Sequence, residues 1–158
     1  MKSIDWSPAS GEDVGKKFII TRMSAFAADK WARHLSKAVI QSTNKMSDAM
    51  LDKAVQRAME EGILGIASMS MTIFANIEDE ACDKAFEALL NCVQIVRMEG
   101  MMPVNLTDAD ISDPQTLTDL RTEAFNLHVG FFKAAIFQSS PLAASLIRAV
   151  SPVSPPPP

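Results

Sequence analysis

VNLTDADISDPQTLTDLRTEAFNLHVGFFK, residues 104–133, decides how the rest of the chain is read. It opens polar and acidic, then turns at Asp113-Pro114 into the longest unbroken helical pattern in the sequence. Asp is a strong N-cap, because its carboxylate accepts hydrogen bonds from the unpaired amides of a first turn. Pro114 follows where no amide hydrogen is needed and where proline's fixed φ is already helical. Apolar residues then fall at Leu117, Leu120, Ala124, Leu127, Phe131 and Ala134, in steps of three and four, which is one stripe of a helix running over residues 114–137. A second stripe, Phe125, Val129, Phe132 and Ile136, lies about 100° round from the first. A helix apolar on two faces needs cover, from the same chain or from a partner.

The first stripe is enough to dock this helix on a core. The second, together with Leu146 and Ile147 of a short last helix starting at Pro141, is therefore the candidate partner-binding surface: Phe125, Val129, Phe132, Ile136, Leu146 and Ile147. Cover of Phe125 and Phe132 by that last helix is the competing expectation.

Upstream of the long helix the chain also reads mainly as helix. Residues 24–41 begin at a capping Ser24 and carry the stripe Ala28, Trp31, Leu35, Ala38 and Val39, with Lys30, Arg33 and Lys37 between as a solvated face. Residues 47–61 repeat the pattern and stop at Gly62, a residue suited to a left-handed helix end. Residues 63–75, ILGIASMSMTIFA, are apolar nearly all round and read as a buried helix. A further helix begins near Glu78, where Glu78, Asp79 and Glu80 meet the positive dipole end. Its stripe is Cys82, Phe86, Leu89, Leu90 and Val93. Residues 93–97, VQIVR, either end this helix or form a strand paired with residues 103–106, and the β-branched residues and Gly100 favour the hairpin. Residues 16–21 read as an edge strand, residues 1–15 as a mobile lead-in, and the tail SPVSPPPP as disordered, since a proline run forms neither helix nor sheet. The expected fold is mainly α: a single compact domain over residues 16–149, about five helices with at most a small hairpin or three-stranded sheet.

With 158 residues, 47% of them hydrophobic and 22% charged, the chain has the size and composition of one globular domain. Its charge is uneven: residues 1–60 hold ten Lys/Arg against seven Asp/Glu, residues 61–158 five against twelve. The acidic second half argues against nucleic-acid binding, which needs a concentrated basic surface. Cys82 and Cys92 are ten residues apart in a helical reading, about 15 Å along the axis, too far for a disulfide. They read as reduced thiols. The start of the chain has no apolar signal run, and residues 63–75 are too short to span a bilayer.

Candidate chemistry is sparse. His34 and His128 do not pair with the cysteines into a zinc set, and His128, next to the stripe, reads as an edge-of-core residue. Asp108, Asp110, Ser112 and Asp119 have some of the spacing of a calcium loop, but the sixth place holds Asp113 where that loop needs Gly, and a helix must start there. An acidic helix-capping turn is the stronger reading. No phosphate loop, nucleophile elbow or catalytic carboxylate pair appears. No catalytic residue, metal or cofactor is expected.

Taken as an ordered set, DADISDPQTLTDLRTEAFNLHVGFF (108–132), ALLNCVQIVR (88–97) and FIITRMSAFAADKWARHL (18–35) resemble the tail assembly chaperones of long-tailed, siphovirus-like bacteriophages and prophages, over roughly residues 16–133. The resemblance implies a non-enzymatic protein of the host bacterial cytoplasm, absent from the finished virion. It implies that the protein binds the tape-measure protein, keeps it soluble and promotes tail-tube polymerisation. The major tail protein, a further copy of the chain and a frameshifted longer form are the other partners it brings in; nucleic acid and membrane are not among them. The alternative is a small helical phage regulatory or host-takeover protein acting by protein–protein binding.

Overall fold

The computed structural model describes residues 2–43 and 77–139. Within them the chain runs β1 (Ser3–Trp6), β2 (Lys17–Thr21), α1 (Ala25–Thr43), α2 (Asp79–Leu90), β3 (Val93–Val96), β4 (Val104–Asn105), a 3-10 turn (Asp108–Asp110) and α3 (Pro114–Ser139). The strands form one antiparallel sheet in the order β1-β2-β3-β4.

Strand alternation sets the two faces of this sheet. Phe18 and Ile20 of β2 stand opposite Ile95 and Val93 of β3, and all four are buried. Ile4 and Trp6 of β1 extend the same face, with the Trp6 and Phe18 rings 5.9 Å apart. The other face carries Ser3, Asp5, Lys17, Thr21, Gln94 and Asn105, with only Ile19 and Val96 apolar. One dry and one wet face is the usual state of an antiparallel sheet.

The helices complete the core. α1 buries Ala28, Trp31, Ala32, Leu35 and Val39, and Lys30, Arg33 and Lys37 are exposed, as their spacing predicts. α2 buries Ala85 and Leu89, with Cys82 and Phe86 packed at the edge. The Arg121 guanidinium lies 4.4 Å from the Phe86 ring and ties α3 to α2. α3 buries Thr116, Leu120, Ala124, Phe125, His128, Phe132, Ala135 and Ile136. The buried face of α3 thus lies between the two stripes read from sequence, along a row of steps of four through Leu120, Ala124, His128, Phe132 and Ile136. Leu117, Leu127 and Phe131 flank it half-buried, and Ala134 is exposed.

This is not the mainly α, five-helix domain expected. The described residues hold three α-helices and a four-stranded antiparallel sheet. The expected helices at 47–61, 63–75 and from Pro141 lie outside the described residues. β1 forms inside the stretch read as a mobile lead-in: Ser-Ile-Asp-Trp alternates polar and apolar, but four residues among Ser, Pro and Gly give too short a pattern to count alone. Its partner is what makes it a strand. The hairpin at residues 93–106 does form, with Ile95 opposite Val104.

Candidate functional site

Two regions of the described residues hold polar or apolar groups beyond an ordinary core. The first is the junction where the loop before β2 meets the start of α3. Asp13 is fully buried there; its carboxylate accepts from the amides of Ser112 and Asp113 at 3.1 and 2.9 Å and from Lys16 Nζ at 2.6 Å. Lys16 also donates to the Asp110 carbonyl at 2.8 Å. Asp110 in turn accepts two bonds from Arg97, each 3.0 Å, and bonds from the Thr107 amide and hydroxyl at 2.8 and 2.7 Å. Asp113 caps α3 as its position predicts, accepting from Gln115 N–H at 2.8 Å, and its other oxygen accepts from Glu12 N–H at 3.3 Å.

The electrostatics follow from these partners. The Lys16 ammonium, with the two amides, holds the Asp13 carboxyl down to about 2. Arg97 and Thr107 hold Asp110 well below the usual carboxylate range. Asp13 and Asp110 are held ionised and saturated with donors, so neither is poised as a general acid or base. The acidic turn is a clamp that sets where α3 begins, the capping role read from its sequence.

Gly11 belongs to the clamp. Its φ is +95°, and a Cβ there would meet the Asp113 carboxylate. Gly11→Ala is therefore expected to lose about 2 kcal/mol from backbone strain and a displaced cap together. Thermal unfolding measures it; a variant as stable as the parent would show that the clamp tolerates rearrangement.

The second region is apolar and exposed. Met98, Met101 and Met102 occupy the β3–β4 turn, Met102 at 84% exposure, and Val104 follows in β4. A Lys17–Glu99 contact of 3.7 Å joins this turn to the start of β2, and exposed Val14 lies three residues before Lys17. Five of the six large hydrophobics exposed among the described residues therefore sit at one end of the sheet. The sixth, Phe26, is 92% exposed at the start of α1.

The residues singled out from sequence are placed otherwise. Phe125, Phe132 and Ile136 are core side chains. Phe125 packs against α1: Trp31 meets Phe125 edge-on at 5.9 Å and His128 at 5.6 Å, and within α3 Phe125 meets Phe132 at 5.6 Å. Val129 is half-buried beside them, and Leu146 and Ile147 lie outside the described residues. The methionine turn went unremarked in the sequence, where its signal was three Met within five residues, with Gly100 among them and Pro103 after them. His128 is fully buried; it accepts the Met23 N–H on Nε2 at 2.8 Å and donates from Nδ1 to the Ala124 carbonyl at 2.7 Å.

Cys82 and Cys92 are free and half-buried. Burial pushes the Cys92 thiol up to about 11, and burial together with Asp83 raises Cys82. Both are poor nucleophiles in this setting. Among the described residues no three metal-ligating side chains converge, and no helix is long and apolar enough to cross a membrane.

A groove of about 380 Å³ separates α1 from α2. Its floor is Trp31, Leu35, Ala81, Ala85 and Ala88, and Lys30, His34, Glu80 and Lys84 stand along its lips.

The family model described as phage tail assembly chaperone protein, TAC, matches residues 14–140. That span holds β2, all three helices, the methionine turn and the clamp residues from Val14 onward. Neither a curated protein nor a solved structure matches the chain.

Proposed function

Because the chain belongs to the phage tail assembly chaperone family, we propose that it binds the tape-measure protein, keeps it in solution and promotes tail-tube polymerisation around it, without catalysing a reaction. In this reading it works in the host bacterial cytoplasm and is absent from the finished virion. The major tail protein is the second partner.

One observation supports the reading most directly. Exposed apolar side chains gather at one end of the sheet, and three of them are methionines. Unbranched thioethers repack against differently shaped apolar ridges at little cost, which suits a surface that must hold a long chain without one fixed register. The reading gives contact to this turn rather than to Phe125, Phe132 and Ile136, which are buried in the core.

Co-expression with the tape-measure protein tests it. The parent chain is expected to keep the tape measure in the soluble fraction. Replacing Met98, Met101 and Met102 together by Ser is expected to cut that fraction at least about threefold, as removing the centre of an interface does. Thermal stability should barely move, because the three positions are exposed. A parent that leaves the tape measure insoluble defeats the function. A triple variant that holds it as well as the parent defeats only the surface.

A further inference from the structure

Three thioethers stand in water at one turn. Met98, Met101 and Met102 are 65%, 57% and 84% exposed, whereas Met23, the fourth methionine among the described residues, packs against the core. The backbone gathers them. Met101 N–H donates to the Met98 carbonyl at 3.0 Å, and Gly100 between them has a φ of +84°. The four residues 98–101 therefore close a tight turn of the kind that needs glycine at its third place. Met98 and Met101 are its two ends, and Met102 follows directly.

The turn is tied at its base by other groups. Arg97, the residue before Met98, donates to both oxygens of Asp110 at 3.0 Å, and Glu99 lies 3.7 Å from Lys17. These ties run through backbone and charged side chains, not through sulfur. Chemistry at the three sulfur atoms therefore leaves the fold its supports.

The chemistry that an exposed thioether invites is oxidation. Sulfur gives an electron pair to one oxygen of a hydroperoxide, the O–O bond breaks, a sulfur–oxygen bond forms, and the other oxygen departs as water or an alcohol. Sulfur is oxidised by two electrons and the peroxide is reduced by two. A flexible apolar side chain becomes a polar one, which spoils a methionine-rich contact surface, and methionine sulfoxide reductases reverse it.

We propose that the methionine turn is a redox-sensitive modification site. Peroxide converts Met98, Met101 and Met102 to sulfoxides, which switches off the apolar surface while the domain stays folded. The switch rests on the reading that this turn holds the tape-measure chain.

Hydrogen peroxide is titrated onto the purified full chain, and peptide mass spectrometry reads the oxygen gained at each methionine. Met98, Met101 and Met102 should each gain one oxygen before Met23 does. At the dose that oxidises these three and spares the rest, the melting temperature should be unchanged. The tape measure kept soluble on dilution from denaturant should fall at least about threefold. Methionine sulfoxide reductase with dithiothreitol should restore it. Met98→Leu with Met101→Leu and Met102→Leu removes the sulfur, so its capacity, whatever the starting level, should be equal before and after peroxide.

Oxidation of Met23 as early as of the three overturns the proposal. So does full oxidation of the turn with capacity kept, a loss that the reductase does not reverse, or a loss accompanied by a lower melting temperature. An untreated chain that holds no tape measure defeats the functional reading, and the switch falls with it. The order of oxidation is then still read from the masses, so the two failures are told apart.

Discussion

Phe125→Ala is expected to lower the free energy of unfolding by about 3–5 kcal/mol, the usual cost of emptying a large aromatic site in a core. Phe125 is 2% exposed and contacts the Trp31 and Phe132 rings edge-on at 5.9 and 5.6 Å. The lost side chain is therefore a joint between α1 and α3, not a local filling. Since a domain of this size holds only about 5–15 kcal/mol in all, the variant should lie close to unfolding. Urea denaturation should show a lower midpoint with an unchanged slope, which is the mark of lost stability rather than a changed unfolded state. Phe132→Ser should cost a similar amount, so a loss of activity in that variant reports a damaged core. A loss below about 1 kcal/mol at either site would mean that α1 does not hold this face shut.

The second large effect is expected at His128. In the folded chain this ring must be neutral on Nε2, because that nitrogen accepts the Met23 amide hydrogen while Nδ1 donates to the Ala124 carbonyl. His128→Ala removes the acceptor, strands a part-buried N–H and leaves a void against Trp31, for an expected cost of about 2–4 kcal/mol. His128→Gln can return an acceptor oxygen to Met23 and should cost clearly less. Protonation does what Ala does to the acceptor. Burial pushes the His128 pKa below its ordinary 6.5, and Arg22 nearby adds to the effect. The unfolded chain therefore takes up a proton that the folded chain refuses, and stability is lost as the pH falls below about 6.5. Asp13 and Asp110, whose folded values lie below the ordinary 3.8, add their own loss only further down, from about pH 4. Melting curves should show this loss setting in as the pH falls below about 6.5 in the parent and not in His128→Gln. A parent melting temperature that stays flat through that range would place the proton elsewhere.

What could be read from the sequence follows the range of each interaction. α1, α2 and α3 are periodic over three turns or more; Ser24 and Asp113 cap α1 and α3, and acidic residues 78–80 mark the start of α2, so their existence and starts were legible. β2 and the 93–106 hairpin were legible from their β-branched runs and from Gly100, but β2 was read as an edge strand and is an interior one, because β1 pairs on its outer side. β1 was not, because Ser3–Trp6 becomes a strand only by pairing with Phe18–Thr21. The Asp13 clamp was not either: its acceptor and donors lie about a hundred residues apart, beyond any periodicity. On α3 the stripes were found, but Thr116 and His128 are polar. The true centre of the buried face, midway between the stripes, was therefore invisible to an apolar count. The surface assigned from the second stripe rests on the same count, because apolar pattern says that a face needs cover but not what supplies it; Phe125, Phe132 and Ile136 of that stripe are buried.

The order of the strands has a consequence for synthesis. β2 and β3 are neighbours in the middle of the sheet, yet more than seventy residues separate Phe18 from Ile95. α1, made early, rests its buried face on α3, the last helix described. While the ribosome is still making the middle of the chain, β1 and β2 form only a two-stranded ribbon, which is marginal in water, and Trp31 still lacks the Phe125 and His128 rings it packs against. Folding must wait for residue 132 or beyond to emerge. Until then the nascent chain presents its own apolar surface, and it passes through the exposed state from which a chaperone protects others.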